Sequence, residues 1–250
     1  MYLFYELLTI ITVPLIMHSR NEFSKPAGIK YIAYSIAGAT AAFAGIMIFY
    51  SLVGTFDYTE GGYASFAKMA GEVNPLFYLS FLLMFFGFGV KAAVFPLYEW
   101  LPAVGVAPTP VTALLHAVAV VKAGVFAIIR LTYYIYGTSN IVNSFGQYIP
   151  MIFAIFTIFY GSSMALKEPH FKRRMAYSTV ANLSYIIFGA LLMSEAGFVA
   201  GLLHMAFHAE IKILGFFAVG AVMHNTKREY LPELDGLGRK MPITFVCYTV

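Results

Sequence analysis

An all-α integral membrane fold, a polytopic helix bundle forming a single transmembrane domain over 1–250, is predicted by three observations. First, 11% of the 250 residues are charged and 60% are hydrophobic, with mean hydropathy +0.76. A soluble domain carries about 25% charged residues, so this chain lacks the polar groups to cover a water-facing surface. Second, apolar runs of spanning length recur, and none alternates as the roughly ten-residue strands of a membrane barrel would. Third, the basic residues of the connectors fall on one side of the alternating runs.

Taken in order, the runs lie at roughly 1–17, 31–53, 76–98, 110–136, 149–166, 175–194 and 198–223, where about 20 apolar residues span a bilayer. That is about seven full transmembrane helices, plus an eighth that begins at 242 and stops after about ten residues. The chain therefore reads as a fragment at both ends. MYLFYELLTIITVPLIM lacks a basic leader and a small-residue cleavage site and carries Glu6, so it reads as a span rather than a signal. Three connectors hold Arg20, Lys25, Lys30, then Lys167, Lys172, Arg173, Arg174, then Lys227, Arg228, Arg239, Lys240. The opposite side holds Asp57, Glu60, Glu72 and Glu195 with Lys68 alone. Eleven basic residues against one place the three basic connectors in the cytoplasm. Arg130, near the outer end of its run, can snorkel to the interface.

Three lysines belong to no connector: Lys91, Lys122 and Lys212. A charge at bilayer depth costs at least about 2.5 kcal/mol on insertion scales, so each is a candidate functional residue. Lys91 lies roughly 13 Å inside Trp100 at about 1.5 Å per residue, too deep for simple snorkelling. Pro96 and Pro102 follow it, and a helix broken near 91–102 is expected, since proline removes a backbone hydrogen bond. Broken helices are tolerated at membrane depth where they line a cavity or pack inside protein. Desolvation disfavours a charged amine, so such a lysine can lose and regain a proton near neutrality.

His116 and Lys122 are six residues apart, about 600° of helical rotation, and so occupy different faces. A lone histidine on an apolar helix is usually a packing residue; a lysine at that depth has no such ordinary explanation. His204, His208 and Lys212 fall at i, i+4 and i+8 and share a face. The histidine pair has the spacing of a zinc site, but HEXXH is absent, no third ligand is suggested, and Lys212 would repel a cation. A proton relay suits these residues better. Glu6 needs a cationic partner if buried, and Lys91 is the natural one. Glu210 points to another face of its helix, toward a separate partner. Ser178 and Thr179 open the run after the basic cluster and can support packing or water.

The single cysteine, Cys247, excludes an internal disulfide and any cysteine-rich metal or iron–sulfur site. There is no nucleotide loop, no GxGxxG, no haem-ligand pattern and no nucleophile elbow. No cofactor, metal site or nucleic-acid partner is expected.

The stretch KAAVFPLYEWLPAVGVAPTPVTALLHAVAVVKAGVFAIIR, with KRRMAYSTVANLSY, HMAFHAEIK and LDGLGRKMPITF, resembles the antiporter-like subunits of respiratory complex I, Mrp-type Na⁺/H⁺ antiporters and membrane-bound hydrogenases. The resemblance covers nearly the whole chain. It implies two inverted helical repeats around a mid-membrane polar axis, the first over about 1–136 and the second, incomplete, over about 149–250. It also implies a proton relay through Glu6, Lys91, His116, Lys122, Lys172, His204, His208 and Lys212. Glu210 and Ala103 depart from the family pattern, an apolar residue and an aspartate being usual there. The implied function is a non-catalytic, proton-translocating subunit in the inner cytoplasmic or an equivalent energy-transducing membrane. Its partners would be other antiporter-like and redox subunits, the lipid bilayer, H⁺ and, in one reading, Na⁺. Lysine and histidine suit protons, whereas sodium needs oxygen ligands; both H⁺ transport alone and Na⁺ exchange stay open. The competing reading is a scaffold or docking subunit without its own ion path.

Overall fold

The computed structural model describes residues 1–63 and 75–249. Lys68 and Glu72, counted above on the less basic side, lie outside the described residues. The chain folds into α1 (Tyr2–Ile16), α2 (Ser24–Val53), α3 (Pro75–Gly89), α4 (Thr109–Tyr136), α5 (Phe145–Lys167), α6 (Phe171–Leu191), α7 (Glu195–Thr226) and α8 (Pro242–Thr249). Among the described residues there is no strand, only an isolated bridge between His170 and Tyr230. Among the described residues four helices, α2, α4, α5 and α7, are long and apolar enough to cross a membrane. Helices α1 and α3 are apolar but shorter, 15 residues each.

Several boundaries differ from the sequence expectation. Helix α2 starts at Ser24 rather than 31, so Lys25 and Lys30 ride on its first turns instead of in a connector. Helix α6 likewise begins at Phe171 and takes in Lys172, Arg173 and Arg174. A hydropathy boundary marks where apolar residues begin, while a helix continues into polar residues as long as its backbone bonds are made.

The expected 76–98 segment is not one helix. α3 ends at Gly89, residues 90–99 are non-helical, and Trp100–Ala103 forms a single helical turn. Pro96 lies inside the irregular stretch, joined to Phe95 by a cis peptide. Pro102 does not break a helix: it sits in the first turn of Trp100–Ala103, where its missing N–H has no intrahelical partner to lose. Ala93 takes a left-handed conformation, φ 56°. The interruption is held by its surroundings. The Trp100 indole donates to the Val90 carbonyl at 2.7 Å, and the Phe95 amide donates to Thr157 Oγ1 of α5 at 3.0 Å. Backbone groups freed at membrane depth find protein partners, as they must without water.

Helix α4 also departs from regularity. Leu114–Val118 and Leu131–Tyr136 are π-helical turns, and the first contains His116. Such bulges occur often at functional sites because they re-aim side chains against the regular register.

Small residues set the spacing around the break. A Cβ on Gly87 would fall 2.5 Å from the Ala42 amide of α2. One on Gly124 of α4 would fall 2.5 Å from the Ala92 amide and 2.9 Å from the Lys91 carbonyl carbon. These obstacles are backbone and cannot swing aside. Gly124→Ala is therefore expected to destabilise the fold by about 1–3 kcal/mol through overpacking, read as a lowered midpoint of thermal unfolding in detergent.

At the end where basic residues gather, Lys30 of α2 pairs with Glu99 at 2.7 Å, with side chains 39% and 50% exposed. Hydrogen bonding to Lys30 and its charge hold the Glu99 carboxyl below its ordinary value of 4.5. The carboxylate gains in the folded state, so the pair's contribution is complete above 4.5 and fades as pH falls through the depressed folded value. Exposed pairs contribute about 0–1 kcal/mol. Lys30→Ala should thus change stability by less than about 1 kcal/mol at pH 7 and by progressively less as pH falls below 4.5, a trend that paired unfolding curves would register. Arg130 stacks by Tyr58 at 5.0 Å and Phe126 at 5.2 Å instead of standing free.

Candidate functional site

Two groups of buried polar side chains lie in the bundle. The first is at the helix break. The Lys91 side chain is completely buried, its Nζ 4.0 Å from Glu6 Oε1 of α1. Glu6 is 26% exposed. The same amine donates to the backbone carbonyl of Tyr5 and sits 3.4 Å from the centre of the Tyr5 ring. A cation over an aromatic face in a dry setting gains about 2 kcal/mol or more. Tyr5 is itself anchored edge-on to Phe88, the ring centres 5.1 Å apart, with its hydroxyl toward the Gly87 and Phe88 carbonyls. One oxygen, Glu6 Oε1, has no hydrogen-bond partner among the described residues, and at 4.0 Å the ion pair is at its outer limit. The amine's better contacts are with Tyr5.

The break explains why Lys91 can occupy this place. A continuation of α3 would carry residue 91 around the helix axis. Ending α3 at Gly89 lets the chain turn, and Gly124 lets α4 close behind it.

The second group joins α4, α6 and α7. Lys122 Nζ lies 2.8 Å from His208 Nδ1. When Lys122 carries its charge it only donates, so Nδ1 accepts and the ring proton is then on Nε2. That Nε2 has no hydrogen-bond partner among the described residues, and neither does either nitrogen of the buried His116. His116 packs beside Phe216, 5.0 Å between ring centres. Lys212 donates to Ser178 Oγ at 2.8 Å and to the Met175 carbonyl at 3.3 Å. His204 Nε2 meets Asn182 Oδ1 at 3.1 Å, and Asn182 donates back to the Ser178 carbonyl at 2.8 Å. Lys172, at the start of α6, donates to the Ala107 carbonyl at 3.2 Å. Its side chain lines a cleft of about 450 Å³ with His170, Arg173 and Glu229. A second cleft, also about 450 Å³, is lined by Asn182 and His204.

The residues of the expected relay lie in or beside these two groups, whereas Glu210 is exposed on another face of α7. Glu6 and Lys91 form the first. Lys122, His204, His208 and Lys212 belong to the second, with His116 and Lys172 flanking it. Although His116 and Lys122 share α4, only Lys122 bonds to α7. No hydrogen bond joins the Lys91 group to the Lys122 group among the described residues. Three participants escaped sequence reasoning. Tyr5 and Trp100 act through an aromatic face and an indole N–H, which no spacing reveals. Asn182 carried a usable signal, an amide at i+4 from Ser178 within a membrane-depth helix. Among the described residues no three His, Cys, Asp or Glu side chains gather as metal ligands.

Buried amines and imidazoles on an interrupted helix and its neighbours, inside apolar helices of spanning length, define a polytopic α-helical membrane protein with a polar interior. The chain belongs to the NADH:quinone oxidoreductase/Mrp antiporter transmembrane family, whose model matches residues 1–250. It is 32% identical to the chloroplastic NAD(P)H-quinone oxidoreductase subunit 5 of Lemna minor over 97% of this chain and 33% of that protein. The corresponding subunit of Adenocaulon himalaicum is 33% identical over the same shares. The chain thus spans about a third of the length of these curated relatives. Among solved structures it resembles a chain of an archaeal respiratory complex, the membrane-bound sulfane sulfur reductase. The identity there is 28% and the TM-score 0.81, over 99% of this chain and 50% of that one. It also shares the fold of a chain of the Mrp complex from Dietzia sp. DQ12-45-1b, with TM-score 0.86 at 22% identity, over 99% of this chain and 45% of that one.

Proposed function

We propose that the chain is the central part of a proton-translocating, antiporter-like subunit in a multisubunit membrane complex. Within it, protons move along the Glu6, Lys91, His116, Lys122, Lys172, His204, His208 and Lys212 relay. The observation that carries this reading is the Lys122–His208 contact at 2.8 Å. It is a proton donor and a proton acceptor in direct register inside an apolar bundle. A proton leaving Lys122 for Nδ1 makes the Nε2 proton available for the next acceptor. Ordered water between His208 Nε2 and the unpartnered His116 nitrogens would complete that step, since a polar site with two or more partners is where buried water settles. The two clefts, at Lys172 and at His204, offer access from outside the bundle. Closing the Glu6–Lys91 pair favours the charged amine, and lengthening it favours proton release.

In this reading α1 to α7 are the seven spans, α8 opens an eighth, and 1–136 and 149–250 form two inverted repeats around the break. Redox chemistry or Na⁺ exchange resides in partner subunits, and the membrane is an energy-transducing one. The gap between the two polar groups favours the competing scaffold reading, in which ions cross elsewhere. Proton uptake by the whole complex in liposomes separates them. Loss of uptake in the Lys91→Ala and Lys122→Ala complexes, with assembly intact, supports the relay. Unchanged uptake in both leaves the chain a scaffold.

A further inference from the structure

Helix α7 turns His208 and Lys212 inward, where both are buried. Its outer side presents Leu203, Phe207, Ile211, Leu214 and Phe217, each more than half exposed. Glu210 lies in this same exposed stripe. The residues Leu203, Phe207, Glu210, Leu214 and Phe217 follow one another at steps of four, three, four and three. That is the spacing along which a second helix packs at a shallow crossing angle. Glu210 is also midway along the 32-residue helix, about 22 Å from either end at 1.5 Å per residue. A bilayer core about 30 Å thick therefore holds it near the midplane. Among the described residues Glu210 has no ion-pair partner.

Acyl chains offer a carboxylate nothing, and intramembrane acids pair with a cation or face a polar interior. The polar interior of this bundle is on the opposite side of α7. A second copy of the chain across a two-fold axis at this seam would oppose Glu210 to itself, like charge against like charge. We infer that the outer stripe of α7 is a docking seam for a transmembrane helix of another subunit, which carries a lysine or arginine at mid-bilayer depth opposite Glu210. The inference rests on the chain being a subunit of a multisubunit complex but is independent of the relay, which lies on the other face.

The test uses the whole complex in its native membrane and needs no transport measurement. Photoreactive benzoylphenylalanine at position 207 or 214, followed by mass spectrometry of the adducts, should yield one apolar peptide of another subunit containing a single Lys or Arg. Glu210→Lys should lower retention of that subunit in the purified complex by about tenfold or more, as loss of a desolvated charge pair predicts. Glu210→Gln should give a smaller loss without disturbing the fold. A reciprocal Lys→Glu or Arg→Glu change in the adducted peptide should restore retention with Glu210→Lys. Adducts to lipid alone, to this same polypeptide, or to a partner span without a basic residue would overturn the inference. So would Glu210→Lys with unaltered retention.

Discussion

Lys91→Ala is expected to lower proton translocation by the whole complex about a hundredfold or more, the scale at which a positioned proton-transfer group acts. The amine is fully buried beside Glu6 and over the Tyr5 ring, so no solvent group can replace it. The substitution also strands the Glu6 carboxylate. Removing one member of a buried pair costs about 3–5 kcal/mol, and the 26% exposure of Glu6 brings the cost toward the lower end. A stability loss alone could therefore mimic a transport defect. Lys91→Arg resolves this. Arginine keeps the charge and its attraction to Glu6 and Tyr5, but it does not release a proton in proteins. The arginine complex should assemble normally and still fail to take up protons in liposomes. Assembly with uptake near that of the parent would remove Lys91 from the path.

Lys122→Ala is expected to produce a loss of similar size, about a hundredfold, and the two partners of this contact should not act additively. Lys122 and His208 meet at 2.8 Å, and among the described residues each is the other's one hydrogen-bond partner. Groups that work as a unit show single losses nearly as large as the double loss. His208→Gln should thus resemble Lys122→Ala in rate, and the double variant should be scarcely worse than either. If the losses multiplied, the two residues would be serving separate routes. The inner face of α6 supplies a control. Asn182→Ala leaves the Lys122–His208 contact untouched and removes the acceptor of His204 at 3.1 Å. Its uptake should sit between the parent and the Lys122→Ala complex.

Much of the site was legible because membranes make charge rare. Lys91, Lys122 and Lys212 stood out against apolar neighbours for one energetic reason, and Glu6 stood out as the carboxylate able to answer Lys91. The i, i+4, i+8 spacing of His204, His208 and Lys212 followed from helix geometry alone. Less legible were contacts between helices. The i+6 spacing of His116 and Lys122 assigns them to different faces of a regular helix, but it carried no hint of the π turn at Leu114–Val118, and both side chains meet α7. Pro102 looked like a breaker in sequence and proved to be a first-turn residue. Breaking at 90–99 depends on Trp100, Thr157 and Gly124, which come from three different segments.

The sequence by itself determined the solvent, the helical class, the side on which basic charge gathers and the shortlist of ionisable residues. All of these follow from transfer energies and from periodicity within one segment. Only the tertiary structure decided that Lys91 rests on Tyr5, that Lys122 reaches His208 rather than His116, and that Glu210 stands on the outer face of α7. Those outcomes depend on which faces of separate helices meet. That is set by small residues permitting close approach and by backbone irregularities rotating side chains, neither of which any single stretch of sequence encodes.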